Sequence, residues 1–416
     1  MPKPAHALPG RAFCSLVHPA VPCYHIPRYT QSGDDPIKNG KIIRFINISA
    51  ILICMLVFLA GLARTVISPD DEVIYENRPA EKLIGLSPES FADQSFQDSV
   101  ESTMSDQVNA AIKMKKLYNI IDGSFALPFI DTAAEHSSGY IGYRDVWFFK
   151  DMLVLKPLSL GEYRGRLQQC AESINAYAKA SADTDFYLYY IETDKDIDLE
   201  SGEKSGLYEY LRENLELDGS HVSRLRTDSY EDYSKNFLST DHHWNGTGAY
   251  TAYLDICAML GTKALPSQGL YSVEGRYLGT RAAGVEGIRP GSFDINVFDY
   301  PEMEICYNGN PIQDYGRQSQ FIANELSTIS YGMVFGEDCA ELTFDTGTEG
   351  KKLLVMGDSY DNAILKSLAC GFSKTYSIDL RAYDPYSFDL TEYVRANGID
   401  TVLFVGGIDY FSSTLY

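Results

Sequence analysis

Histidine and tryptophan are scarce in this chain, at 7 and 2 among 416 residues. Past residue 64 the histidines are His136, His221, His242 and His243, so imidazole chemistry has few places to reside. Positive charge is short as well. There are 35 Lys and Arg against 57 Asp and Glu, a formal net charge of −22. A polyanion would be repelled, which argues against nucleic acid as a partner. The eight cysteines contain no Cys-x-x-Cys pair. Cys170, Cys257, Cys306, Cys339 and Cys370 follow residue 64, an odd set that indicates neither a zinc site nor a disulfide framework. Gly-x-Ser-x-Gly is missing too, so the ordinary nucleophile elbow of that hydrolase class is not present.

What charge there is lies unevenly. Residues 1–64 hold seven basic and two acidic residues, a surplus of +5, and the rest hold 28 against 55, a deficit of −27. Between Arg44 and Arg64, Phe45 to Ala63 carries no charged residue. At 1.5 Å per residue this helix would span roughly 28 Å, close to a bilayer core. Lys38, Lys41 and Arg44 precede it and Asp70, Asp71 and Glu72 follow, so the positive-inside rule puts the N-terminus in the cytoplasm. The expectation is a single-pass cell-membrane protein with its body outside the cytoplasm. A cleaved signal peptide is the competing reading, since Ala60-Gly-Leu-Ala63 resembles a cleavage site.

The organisation follows from periodicity. Residues 1–44 read as a disordered cytoplasmic tail, 45–63 as the transmembrane helix and 64–95 as a stalk, with a folded domain over 96–416. Phe96 to Tyr118 reads as a helix, and residues 138–158 as a hairpin about Lys150-Asp151. Tyr163, Leu167, Cys170, Ile174 and Tyr177 recur at helical spacing. Phe186 to Ile191 is a buried strand, Leu207 to Leu215 a helix and Gly246 to Leu260 another. Residues 262–350 break the pattern and read as an irregular, β-rich insertion, a candidate lid or substrate wall. Then Leu353–Met356, Thr375–Leu380 and Thr401–Val405 alternate as strands with helices at Asn362–Ala369 and Leu390–Asn397. Strands alternating with helices predict an α/β domain with a parallel sheet, whose functional residues gather at the carboxyl ends of strands.

Two motifs carry the chemistry. Thr240-Asp241-His242-His243-Trp244 supplies an acid and two imidazoles, and Gly357-Asp358-Ser359-Tyr360 a serine between strand and helix. Asp-x-His on a turn lets the carboxylate hold one ring nitrogen and leaves the other as base. A serine at a strand-to-helix turn faces helix amides suited to an oxyanion. Taken alone, Gly-Asp-Ser is as well explained by helix capping. The paired histidines equally suit a solvated or core position. Asp241, His242 and His243 also form a possible metal set, although adjacent histidines usually diverge and the expectation is no metal and no cofactor.

Ser239-Thr-Asp-His-His-Trp-Asn-Gly-Thr-Gly-Ala-Tyr-Thr-Ala-Tyr253 resembles the signature of the DHHW protein family. That family is similar to the SGNH-hydrolase-like domains of the alginate acetylation proteins AlgJ and AlgX. The resemblance covers residues 96–416 and implies an SGNH-like three-layer α/β domain. It implies Asp241 as acid, His243 as base and Ser359 as nucleophile. Tyr360, Asp361, Asn362 and Arg381 are the candidates for the oxyanion or substrate, Arg381 through an Asp379-x-Arg381 pattern. The motif order is the reverse of ordinary GDSL hydrolases, and the usual asparagine block is not assignable. The implied activity is O-acetyl transfer to, or ester removal from, a cell-envelope or secreted polysaccharide, with a membrane-bound acyl donor as partner. A glycan-binding scaffold without turnover stays open beside it, as does a metal-dependent hydrolase. Thirty tyrosines suit sugar faces but equally suit strands and surfaces.

Overall fold

The computed structural model describes residues 45, 47–56, 59–60, 72–73, 78–79, 81–107, 109–137, 139–273, 276–277, 279–285, 291–316, 328–383 and 388–413. The expected tail, 1–44, lies outside them. Of the expected membrane segment, residues 45, 47–56 and 59–60 are helical and the remainder lies outside the described residues. Among the described residues no helix is long and apolar enough to cross a membrane. The chain divides into two units, Met1–Ala60 and Gly61–Tyr416. The second unit holds both motifs and every sheet of the described residues.

Its main sheet has eight strands: β1 (Asp185–Ile191), β2 (Val222–Leu225), β3 (Glu304–Tyr307), β4 (Asn310–Ile312), β5 (Glu341–Asp345), β6 (Lys352–Met356), β7 (Lys374–Ile378) and β8 (Thr401–Gly406). Their order is β4-β3-β5-β7-β6-β8-β1-β2. The run from β7 to β2 is parallel throughout, and the β4-β3-β5 edge joins it antiparallel. The fold is therefore mixed α/β with a mostly parallel sheet.

Strands covered on both faces read as continuous apolar runs, as β6 and β8 do. Leu353, Leu354, Val355, Val402, Leu403, Phe404 and Val405 are all fully buried. On one face Leu188, Tyr190, Val402 and Phe404 pack with Leu167, Cys170, Ala171 and Ile174 of α1 (Leu160–Ala180). The same core takes in α2 (Leu207–Asn214). On the other face Tyr189, Ile191, Val355 and Leu403 pack with Ala252, Tyr253 and Ile256 of α3 (Gly246–Leu260). Alternate strand residues thus feed two separate cores, as the period of two requires.

Two features depart from the sequence reading. First, residues 262–350 contain β3, β4 and β5, so this β-containing stretch also supplies one edge of the main sheet. The antiparallel β5 alternates buried and half-buried positions, a weaker signal than the apolar runs of the parallel strands. The other described residues of this stretch include two small pairings, Gly269–Ser272 with Asp294–Val297 and Arg276–Tyr277 with Thr328–Ile329, and two short helices, Thr280–Gly284 and Tyr331–Phe335. Second, the helix expected over Asn362–Ala369 is a tight 3₁₀ turn, Asp361–Ala363, followed by a five-residue helix, Leu365–Ala369. That change matters at the site.

Candidate active site

The Asp-His-His-Trp segment is held as a small closed loop between the helix Tyr230–Asn236 and α3. Phe237 and Trp244 form an antiparallel bridge, and the Leu238 amide donates to the His243 carbonyl at 3.0 Å. Asn245 ties the loop to α3. Its Oδ1 accepts from Thr247 N at 2.9 Å and Gly248 N at 3.0 Å, and its Nδ2 donates to Lys235 O and Phe237 O. A Cβ at Gly248 would collide with the Asn236 carbonyl, so the Asn-Gly-Thr-Gly run after the motif is a packing requirement. Ser359 arrives from the other side, three residues past the end of β6 and so at the carboxyl edge of the sheet.

The two segments meet in one row. His243 Nε2 lies 2.8 Å from Ser359 Oγ, and His243 Nδ1 lies 2.7 Å from Asp241 Oδ1. The other carboxylate oxygen, Oδ2, accepts from Tyr277 OH at 2.7 Å and from Thr280 N at 2.8 Å. Tyr331 stacks on the His243 ring, with centroids 3.8 Å apart and planes 8° from parallel. Trp244 Nε1 donates to Tyr331 OH at 3.1 Å, so the tryptophan locks the imidazole through the tyrosine. The His242 ring lies against His243 with centroids 3.9 Å apart and planes tilted by 36°, its Nδ1 2.7 Å from Thr280 Oγ1. Tyr277, Thr280 and Tyr331 are not among the residues the sequence singles out. They lie in the stretch without periodicity, well removed from the motif, and no pattern in the sequence marks them.

Burial sets the protonation of this row. Burial and the adjacent His242 push the His243 imidazole down to about 4, against the opposing pull of Asp241, so the ring is neutral near pH 7. Burial alone would raise Asp241, but the two imidazoles beside it and their hydrogen bonds hold it well below the carboxylate range. The result is an ionised acid, a neutral base and a hydroxyl in line.

The remaining candidates divide. Tyr360 N donates to Asp358 Oδ1 at 3.1 Å and Asp361 N to Asp358 O at 2.9 Å, so neither amide is free for an oxyanion. Ser359's own amide has no hydrogen-bond partner among the described residues. Asn362 is committed elsewhere: its Oδ1 accepts from Tyr315 OH at 2.8 Å and its Nδ2 donates to Gly336 O and to Asp338 Oδ1. Asp361 is buried, and burial with the surrounding Asp358, Asp379 and Asp338 pushes its carboxyl well above the usual carboxylate range. Arg381 is pinned by Asp379 through Nε and Nη2 and by Asp338 through Nη2 at 2.7 Å, with Nη1 left over. Its charge is felt at His243 and at Asp358.

Asp241, His242 and His243 do bring ligand atoms within 4.8 Å of one another. Those atoms already have partners: both Asp241 oxygens, both His243 nitrogens and His242 Nδ1 are hydrogen-bonded as above. The donor set fits an acid–base row better than a cation shell. A concavity of about 710 Å³ is lined by Tyr300, Glu302, Asp314 and Lys366 among others and includes none of the row.

The fold is mixed α/β, and the row aligns a carboxylate, an imidazole and a hydroxyl. Residues 185–378 match the model of the DHHW protein family, so the resemblance read from the motif holds. A DHHW family protein from Eubacterium siraeum shares the fold, with 18% identity and a TM-score of 0.51 over 67% of this chain and 93% of that one. Bacillus cereus PatB1 with a sulfonyl adduct is similar at 17% identity and TM-score 0.49, over 66% of this chain and 97% of that one. The O-acetyltransferase domain of Pseudomonas putida AlgJ is similar at 11% identity and TM-score 0.36, over 66% and 93%. No curated protein sequence matches.

Proposed function

We propose that this chain is a serine-dependent O-acyltransferase that moves an acetyl group onto a hydroxyl of a cell-envelope or secreted polysaccharide. The observation that carries this reading is the hydrogen-bonded row from Asp241 through His243 to Ser359. A binding scaffold has no use for a buried carboxylate aligned through a neutral imidazole on an accessible hydroxyl.

In the first half-reaction Ser359 Oγ attacks the donor ester carbonyl while His243 Nε2 takes the hydroxyl proton. That proton passes to the leaving alkoxide, the donor C–O bond breaks, and acetyl-Ser359 remains. In the second, His243 takes the proton of the acceptor hydroxyl, whose oxygen attacks the acetyl carbonyl. Ser359 leaves and regains the proton. Water in place of the glycan makes the same machinery an esterase. The Ser359 amide and the spare Nη1 of Arg381 are the donors assigned to the oxyanion. Asp241 holds the ring in the tautomer that leaves Nε2 free.

The uncharged run Phe45–Ala63, with basic residues before it and acidic residues after, supports an anchor that holds the catalytic unit outside the cytoplasm. The large apolar side chains at Phe45, Ile48, Leu52 and Leu56 are exposed on the described part of that helix. A membrane-bound partner that supplies acetyl groups fits such a location.

The test is acid-quenched peptide mass spectrometry of the purified full chain after reaction with 4-nitrophenyl acetate. An acetyl group on the peptide containing Ser359 is expected, absent in Ser359→Ala and in His243→Ala. A folded protein with no adduct and no nitrophenol release would leave only the binding role.

A further inference from the structure

A narrow slot lies at the carboxyl ends of β6, β8 and β1, lined by Asp358 and Tyr360, the two chain neighbours of Ser359. Its walls include Lys195 after β1, Asp358 and Tyr360 after β6, Asp409 after β8, and His242 from the motif loop. Lys195 and Asp409 pair across it. His242 and Asp358 are the chain neighbours of the base and the nucleophile, so their placement in the slot is fixed by the same backbone that sets the row.

Both present polar atoms that the protein does not use. His242 engages Nδ1 with Thr280, and its Nε2 has no partner among the described residues, on a side chain 36% exposed. Asp358 accepts the Tyr360 amide on Oδ1, and its Oδ2 has no partner among the described residues. Neither atom is sealed inside the protein, so both are open to a hydroxyl that enters from solvent. The slot volume is about 20 Å³. By the measure on which one water needs ~10–15 Å³, it admits about one oxygen-sized group and not a ring.

We infer that this slot receives the hydroxyl next to the one being acylated, so that the site selects vicinal diols, the chemistry of a sugar ring, over isolated alcohols. The inference rests on the acyltransferase reading above. The second hydroxyl forms and breaks no covalent bond. It donates its hydrogen to the Asp358 carboxylate, with the His242 imidazole edge beside it, and so orients its neighbour toward acetyl-Ser359. A site built to hydrogen-bond a hydroxyl discriminates against an analogue lacking it far more than an apolar pocket does.

The experiment uses the full chain with 4-nitrophenyl acetate and equal concentrations of cis-cyclohexane-1,2-diol or cyclohexanol. Monoacetate and free acetate are quantified by gas chromatography with mass detection. The transfer-to-hydrolysis ratio is expected to be on the order of 10-fold or more higher with the diol, as for a hydrogen bond to a charged group. Asp358→Ala and His242→Ala should each collapse the preference toward the twofold given by hydroxyl count alone, and Asp358→Asn, which retains an acceptor oxygen, should keep part of it. Acetate and ester formed in enzyme-free controls are subtracted from each sample, so loss of folded material does not alter the ratio. Equal transfer to both alcohols by an enzyme that forms acetyl-Ser359, or a preference surviving both alanine variants, would assign the slot to water alone. Absence of acetyl-Ser359 in the unsubstituted protein would instead overturn the acyltransferase reading, and this inference with it.

Discussion

Asp241 has both oxygens occupied, one by His243 and the other by Tyr277 and Thr280. Asp241→Asn keeps the shape but removes the charge and inverts the preferred tautomer of His243. The expected cost is roughly 10⁴ in kcat, by comparison with serine hydrolases that lose the same group. The depressed imidazole makes a second prediction. His243 stays neutral down to about pH 4, so kcat/KM for 4-nitrophenyl acetate should be flat from neutrality and fall below about pH 4. An acid limb near pH 6.5 would show a solvated ring instead. The sign for stability agrees. The folded imidazole binds its proton less readily than the unfolded one, so its contribution is present above about 6.5 and is lost as pH falls toward about 4. Asn362 behaves otherwise. Its side chain bridges Tyr315, Gly336 and Asp338, so Asn362→Ala should lower unfolding free energy by about 1–3 kcal/mol through unpaired buried groups. Turnover per folded molecule should fall far less than in Ser359→Ala, and a loss comparable to that variant would restore Asn362 as an oxyanion donor.

Among the elements, α3 controls the base. Its cap, Asn245, fastens the loop that carries Asp241 and His243 to the helix before it. Asn245→Ala should cost about 1 kcal/mol for the cap and more for the two bonds from Nδ2. Gly248→Ala should cost more again, because the Asn236 carbonyl leaves no room for a methyl group. Thermal melts of both variants check the order. The bounds of α3, and the helix at Leu390–Asn397, are legible because each has a cap signal at its start and a glycine past its end. The parallel strands are legible as apolar runs. β2, with Ser223 and Arg224 in its middle, is not, since a strand at the sheet's edge is only half covered. The turn after Ser359 reads as helix in the sequence, yet Asp361–Ala363 coils as a 3₁₀ turn, and the Tyr360 and Asp361 amides bond back to Asp358 rather than to a substrate.

At the scale of the whole molecule, the proposed anchor makes a direct prediction. The full chain should sediment with membranes and resist extraction by high salt and carbonate, while a chain lacking residues 45–63 should be released. Protease added outside intact cells should reach the catalytic unit. Extraction of the full chain by salt alone would reduce the apolar run to a peripheral contact. The residues past 64 carry a deficit of −27, which repels anionic surfaces, so the proposed attachment of this unit rests on the apolar run and not on the unit's own charge.

The sequence by itself determined the α/β alternation, the two motifs and the likeness to the DHHW family. Each is local: an apolar run, a cap, or an acid two residues from a histidine acts through neighbours in the chain. The tertiary structure decided what no local pattern encodes. It brought His243 within 2.8 Å of a serine 116 positions away, set Tyr277 and Thr280 under Asp241, and laid Tyr331 on the imidazole. It also withdrew Asn362 and two amides from the oxyanion and set His242 and Asp358, each with an unpartnered polar atom, in the lining of one slot. These outcomes depend on which strand ends adjoin across the sheet, and that is fixed by the packing of the two cores on its faces rather than by any short stretch of residues.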